Sequence, residues 1–402
     1  MPVAGRTSRR ARLRAAGGLL VAALGAALLA AALGAGGRAG AGGAAGDGLV
    51  HTTIEVSPSG CGRGWDRPRP GVQVFDLRNT SDGAAEVYLE DPGSRLVYGE
   101  VEGLAPGTTR QLTVRLGKGE YAFECVPDDA DAVVGPTVRL TRGRGGPAAA
   151  PVTEHDLVPL AIGYQTWVGR GLDDVVRLTV RLRAAIDRGD LAGARTAWLP
   201  AHLAYERLGG AYDAFGDVGE RIDRTDAGLP GGVHDPTFTG FHRIEYGLWH
   251  GESAHTLRAP AAALLDDATT LRHRWAQTRM DPARLGLRAH EILEDTLRSE
   301  LTGRTDYGSG SSLAAAEAEL DGTRAVLSRL RPLLTTRYAD LPRLDGAVTR
   351  ARRTLDGFRH GGRWTPLDRL RRARREQVDA VLGDLVERLA RVATLCDPRR
   401  TA

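Results

Sequence analysis

Cysteine is scarce: the 402 residues hold three, Cys61, Cys125 and Cys396. None lies near the end of the apolar run that opens the chain, which argues against a lipid-anchored cysteine. Lysine is scarcer still. Lys118 is the only one among 54 basic residues, a chain-wide preference for arginine from which no mechanism follows. An excess of positive charge is also missing once the first segment is set aside. The formal charge of +4 includes six arginines and no acid within residues 1–41, which leaves −2 for the remainder and makes nucleic acid a poor partner. The zinc-hydrolase motif HExxH is absent, and the inverted form HxxEH reads His242-Arg243-Ile244-Glu245-Tyr246, with tyrosine where the second histidine belongs.

What is present begins with a targeting pattern. Arg6, Arg9, Arg10, Arg12 and Arg14 precede an uncharged Ala/Leu/Gly run from Ala15 to Ala35, and Ala39-Gly40-Ala41 offers a small-residue cleavage site. Residues 1–41 are therefore expected to be a signal peptide or N-terminal anchor. The expected location is periplasmic or cell-surface, with membrane association through this segment when it is retained.

From residue 48 to 141, short apolar runs alternate with turn residues, as in Val72-Gln73-Val74-Phe75 and Tyr121-Ala122-Phe123-Glu124-Cys125, and this period of two predicts a β-sandwich. Residues 142–151 are rich in Gly, Pro and Ala and read as a linker. Over 152–398 the apolar spacing becomes helical, as in Val175, Leu178, Leu182 and Ile186, which predicts a helical bundle. Asp190 marks one helix start, Pro200 a first helical turn, and Gly228-Leu229-Pro230-Gly231-Gly232 a break before the segment Gly240 to Glu245.

In that segment His242 and Glu245 are three residues apart and share a helix face, close enough to hold one ion. The spacing is common, and a buried histidine salt-bridged to an acid is the plainer reading of an isolated pair. More donors lie upstream: His202 and Glu206 on one face, then Asp217, Glu220 and Asp223. Trp167, Trp198, Phe215, Phe241 and Trp249 fall at helical spacing and read as core.

Gly240-Phe241-His242-Arg243-Ile244-Glu245 followed by Trp249 resembles the GxHxxE signature of the imelysin-like family, and Tyr205-Glu206-Arg207 and Phe215-Gly216-Asp217 to Asp223 resemble its companion segments. The resemblance implies a metal site made of His242, Glu245, Glu206 and Asp223. Some members carry another acid one turn after Glu206, where this chain has Gly209. His202, Asp217 and Glu220 stand in reserve.

The stretch Tyr121 to Gly135 resembles the last loop of the cupredoxins, but the positions of the family's later histidine and methionine ligands hold Asp128 and Val133. Glu86 stands where the first histidine is expected. A second metal site at Glu86, Cys125, Asp128 and Cys61 would offer mainly hard oxygen donors, while a Cys61–Cys125 disulfide is an equal alternative in an oxidising compartment. A cupredoxin-like sandwich followed by an imelysin-like bundle behind an export signal resembles the EfeO-type family of iron-uptake proteins. That resemblance implies iron as cargo, with copper or zinc as other ions. It also implies an EfeU-type permease and an EfeB-type haem peroxidase as partners; no enzymatic role is expected, with ferroxidase-like activity as an open alternative. A metallopeptidase with Glu245 as base, or a metal-dependent binder of acidic polysaccharide, are the rival expectations.

Overall fold

The computed structural model describes residues 49–398; the targeting segment expected over residues 1–41 lies outside them. Two hydrophobic cores organise these residues, one enclosed by strands and one by helices. No helix among the described residues is long and apolar enough to cross a membrane.

The first core lies between two sheets. Strands β1 (His51–Val56), β2 (Gly71–Asn79) and β5 (Thr109–Leu116) make one, in the order β1-β2-β5. The other runs β4-β3-β6-β7, from β3 (Ala85–Glu90), β4 (Val97–Leu104), β6 (Gly119–Pro127) and β7 (Val133–Val134), and β8 (Val138–Leu140) also pairs with β6. Period-two alternation sends Ile54, Phe75, Leu77, Leu112 and Val114 of the first sheet against Val87, Leu89, Tyr121 and Phe123 of the second. β1 and β2 are parallel, with Ile54 opposite Leu77, so the chain must cross over between them. That crossover carries Cys61 and brings Trp65 edge-on to Phe75, ring centroids 4.9 Å apart.

Cys61 is disulfide-bonded to Cys125, 64 residues away. This overturns the expectation of either sulfur as a metal ligand, because the thiolate electrons a metal would use are committed to the S–S bond. The neighbouring expected ligands are engaged otherwise: Glu86 accepts the Tyr88 hydroxyl, and Asp128 is exposed with its amide bonded to Ala84. The stretch read as a linker is held on both sides. Val97 and Ala149 exchange backbone hydrogen bonds of 2.9 and 3.0 Å, and Arg337 donates to the Ala150 carbonyl at 3.1 Å.

The second core is wrapped by nine helices among the described residues: α1 (Glu154–Asp187), α2 (Leu191–Glu206), α3 (Tyr212–Ile222), α4 (Gly240–Trp249), α5 (Ala254–Trp275), α6 (Leu285–Arg298), α7 (Ser312–Arg337), α8 (Leu341–Asp356) and α9 (Arg372–Leu395). A two-strand hairpin, β9 (Arg359–His360) and β10 (Arg363–Trp364), precedes α9. Asp190 caps α2 by accepting from the Gly193 amide at 2.7 Å. Pro200, expected to open a helix, instead sits inside α2, which continues to Glu206 despite the one N–H that proline cannot donate. That extension matters, because the last turn of α2 carries His202 and Glu206.

Candidate metal centre

Three elements converge on one buried pocket. The end of α2 supplies His202 and Glu206, one turn apart and both buried. The residue after α3 supplies Asp223, and α4 supplies His242 and Glu245.

The junction between α3 and α4 is set by a glycine. Gly240 has φ +76°, and a Cβ there would lie 2.0 Å from the Ile222 carbonyl oxygen, so only glycine lets α4 begin against the last residue of α3. The Thr239 hydroxyl bonds the Arg221 carbonyl at 2.9 Å across the same joint. With the two ends abutted, His242 Nε2 comes 3.3 Å from Asp223 Oδ1, and His202 Nε2 lies 3.8 Å from the same oxygen.

His202, Asp223 and His242 each offer a ligand atom within 4.8 Å of the others. His202 Nε2 is also 2.9 Å from Glu206 Oε1, close but not aligned as a hydrogen bond, so neither ring nitrogen of His202 nor Asp223 Oδ1 has a hydrogen-bond partner. These atoms are held by charge alone, without the directional partners that buried polar atoms ordinarily have. An ion accepting two imidazole nitrogens and a carboxylate oxygen would bond all of them at once. The Asp223 side chain is 27% exposed, against 5% or less for His202, Glu206, His242 and Glu245.

The two predicted glutamates adjoin this trio. Glu206 Oε2 accepts the Tyr212 hydroxyl at 3.3 Å. Glu245 Oε2 is 3.5 Å from His242 Nδ1, while its Oε1 accepts the Tyr307 and Ser309 amides at 3.1 Å each. Glu245 therefore orients His242 and fastens the loop before α7. Of the reserve residues, His202 joins the trio and the other two do not. Asp217 and Glu220 are exposed, because α3 buries Phe215, Val218, Gly219 and Ile222, and Glu220 faces Arg224 at 3.8 Å.

Charge explains the resting state. Burial opposes protonation of His202, but the Glu206 charge and the nearby Asp223 outweigh it and raise the imidazole to about 10. Burial likewise opposes protonation of His242, yet Asp223 and Glu245 raise it well above the usual histidine range. Asp223 is held down to about 2 by the two imidazoles despite its burial. Without an ion the pocket thus rests as imidazolium and carboxylate.

Two further acids escaped the sequence reading. Glu300, in the turn after α6, is pushed to about 7 by burial and the Glu206 charge. Glu319 of α7 is buried, accepts the Thr296 hydroxyl at 2.7 Å, and is raised well above the carboxylate range by burial, Glu300 and Glu206. A signal existed for Glu319: it lies in Ala314-Ala315-Ala316-Glu317-Ala318-Glu319-Leu320, an acid on an apolar helical stripe. The Tyr307 and Ser309 amides carried none, since backbone donors leave no mark on sequence. The cluster His290, Glu291 and Glu294, read as packed and salt-bridged, is so: Arg288 pairs with Glu291, and His290 lies 3.8 Å from Glu294.

The imelysin family model (Peptidase_M75) matches residues 162–392. The chain belongs to the imelysin family. Among curated relatives, the iron uptake system component EfeO of Yersinia pseudotuberculosis serotype I is 29% identical over 301 residues, 73% of this chain and 78% of that protein. The iron uptake system component EfeO of Escherichia coli O1:K1 is 27% identical over 330 residues, 79% of this chain and 84% of that one. A solved structure described as an iron-regulated protein A precursor from Parabacteroides distasonis ATCC 8503 matches with TM-score 0.42 and 13% identity. It covers 61% of this chain and 96% of that one, a likeness too slight to carry argument.

Proposed function

We propose that the chain is an iron-uptake component that captures iron outside the cytoplasmic membrane, in the pocket of His202, Asp223 and His242, and passes it to an EfeU-type permease. The observation that carries this reading is the convergence of three donor atoms within 4.8 Å, from three separate elements. The names of the relatives favour iron over copper or zinc, which the same donors would accept. Glu206 and Glu245 act from the flanks, compensating the imidazoles and keeping His242 aimed.

The wider arrangement belongs to the same proposal: an export segment over residues 1–41, a cupredoxin-like β domain over 48–141 without metal at its disulfide, and an imelysin-like domain over 152–398. An EfeB-type haem peroxidase is the further partner. Capture is favoured over peptide hydrolysis because Glu245, the base that hydrolysis would need, spends one oxygen on two backbone amides and the other beside His242.

Titration of the purified protein with ferrous and ferric iron tests the reading. One ion per chain is expected in the native protein and none in the His202→Ala/His242→Ala variant. Equal binding by both proteins, or no transition-metal binding by the native one, would end it. Metal-dependent cleavage of a peptide library would restore the peptidase reading.

A further inference from the structure

The segment from Arg359 to Arg375 is unlike the rest of the molecule in charge. It holds Arg359, Arg363, Arg369, Arg371, Arg372, Arg374 and Arg375 against the single acid Asp368, a net +6, whereas residues 49–398 as a whole hold 46 basic and 49 acidic residues, a net −3. All seven arginines are exposed. The surrounding fold gives them little to pair with. Arg372 meets Glu376 at 2.7 Å, and Arg375 donates to the Leu370 and Asp368 carbonyls. Arg363, Arg369 and Arg371 make no ion pair among the described residues.

The placement works against folding. The first turn of α9 contains Arg372, Arg374 and Arg375 with no acid, and the preceding Arg371 makes no capping hydrogen bond. Cations are disfavoured at that end of a helix, and the one ion pair there, Arg372 with Glu376, offsets only part of the charge, so the sequence breaks a local rule, which is a mark of function. The hairpin just before it has an amphipathic character. Arg359 lies over the half-buried Trp364 ring at 5.8 Å, and the tip is Gly361-Gly362, both at positive φ with open space around them. Buried Leu367 and Leu370 fasten the segment to the helical core.

We propose that this segment is a docking surface for an anionic phospholipid bilayer. Guanidinium groups pair with phosphodiesters, a tryptophan beside arginine suits the boundary of a bilayer, and a tip without side chains can approach a flat surface. The same segment forms one wall of a cavity of about 500 Å³, through Pro366, Arg369 and Arg375, whose other wall is the loop bearing Gly308 and Ser309. That loop is the one fastened to Glu245, so docking turns this side of the pocket toward the membrane. The proposal stands whether or not the pocket carries iron.

The test is co-sedimentation of the full chain with phosphatidylcholine vesicles, with and without phosphatidylglycerol, beside the Arg363→Gln/Arg369→Gln/Arg371→Gln variant. Both proteins carry the same N-terminal segment, so its contribution cancels, and matching melting temperatures check the fold. Each arginine near an anionic surface changes partition about fivefold, so the native protein should bind the anionic vesicles about a hundredfold more tightly than the variant. That gap should shrink as salt is raised. Equal binding by both proteins, or no preference of the native chain for anionic over neutral vesicles, overturns the proposal. Soluble polyglutamate bound as tightly as the vesicles overturns it too, since an acidic protein would then be the better occupant.

Discussion

Replacing Gly240 with alanine tests whether the joint between α3 and α4 builds the pocket. The added Cβ would sit 2.0 Å from the Ile222 carbonyl oxygen, 2.4 Å from its carbon and 2.6 Å from the Arg221 oxygen, all backbone atoms that cannot rotate aside. At φ +76° a non-glycine residue costs about 1–2 kcal/mol. Relieving the overlap adds about 1–3 kcal/mol of the kind seen when a packed interior is overfilled. The sum, about 2–5 kcal/mol, is a large share of a typical total stability of about 5–15 kcal/mol, so the variant should fold with a lowered melting temperature. Relief requires α4 to retreat by about 1 Å, a distance that matters to a pre-organised site. The 3.3 Å approach of His242 to Asp223 then lengthens, which loosens the donor geometry and should weaken iron binding. Gly251→Ala is the control, because Gly251 has φ +80° but nothing within 4 Å of its added Cβ. It should cost only the conformational term, about 1–2 kcal/mol, and leave metal binding intact. Calorimetric unfolding and iron titration of both variants decide the matter. If Gly240→Ala matches Gly251→Ala in stability and binds iron as the native protein does, the close approach is not what positions the pocket.

Iron binding should strengthen with pH. The imidazole of His202, held protonated to about 10, must lose its proton to ligate, at a cost of about 4 kcal/mol at neutral pH, so apparent affinity should rise about tenfold per pH unit for each proton displaced; a flat profile between about pH 6 and 8 would refute the imidazolium resting state. The ion-free protein should show the linked effect, since an unfolded histidine releases its proton near 6.5: the stabilisation from His202 is complete below that value and is lost as pH rises toward 10, measurable by urea unfolding. Reduction of the Cys61–Cys125 disulfide, which closes a separation of 64 residues, should lower stability by about 4 kcal/mol in denaturant unfolding while iron stoichiometry stays unchanged. Glu90 is raised to about 7 by burial and the Glu124 charge, against the pull of Arg95 at 2.7 Å, so it stabilises the fold below about pH 4.5 and that contribution is lost as pH rises through 7. Glu90→Gln should flatten this part of the stability profile; an unchanged slope would show that Arg95 keeps Glu90 ionised.

Much of the architecture was legible because burial leaves a periodic trace. Phe75 and Leu77 alternate with Asp76 along β2, and Val175, Leu182 and Ile186 recur along α1, so strand and helix regions followed from apolar spacing alone. Pro200 misled for a local reason: proline most often opens a helix, yet one missing hydrogen bond inside α2 is tolerated when Ala194, Trp198, Ala201 and Ala204 bury the same helix. The parallel pairing of β1 with β2 left no trace, since alternation marks which residues face a core and not which strand lies alongside.

The pocket was legible only in part, for a reason visible around Glu206. The family resemblance places an acid one turn after it in some members, and here that position is Gly209, whose added Cβ would meet Ile292 at 3.4 Å, an apolar wall. The turn before Glu206 holds His202 instead, packed between Trp198 and Phe241 at ring distances of 4.8 and 5.3 Å and aimed at Asp223. A side chain four residues before Glu206 and one three residues after it stand on the same side of a helix in projection, so spacing could not choose between them. What chooses is the chain leaving α2 at Arg207: beyond it the backbone turns through Gly209–Ala211 into α3, and residue 209 no longer faces the pocket that His202 and Glu206 share. A third imidazole or carboxylate introduced at 209 would meet Ile292 before it met an ion, whereas His202 already stands within ligand distance of both Asp223 and His242.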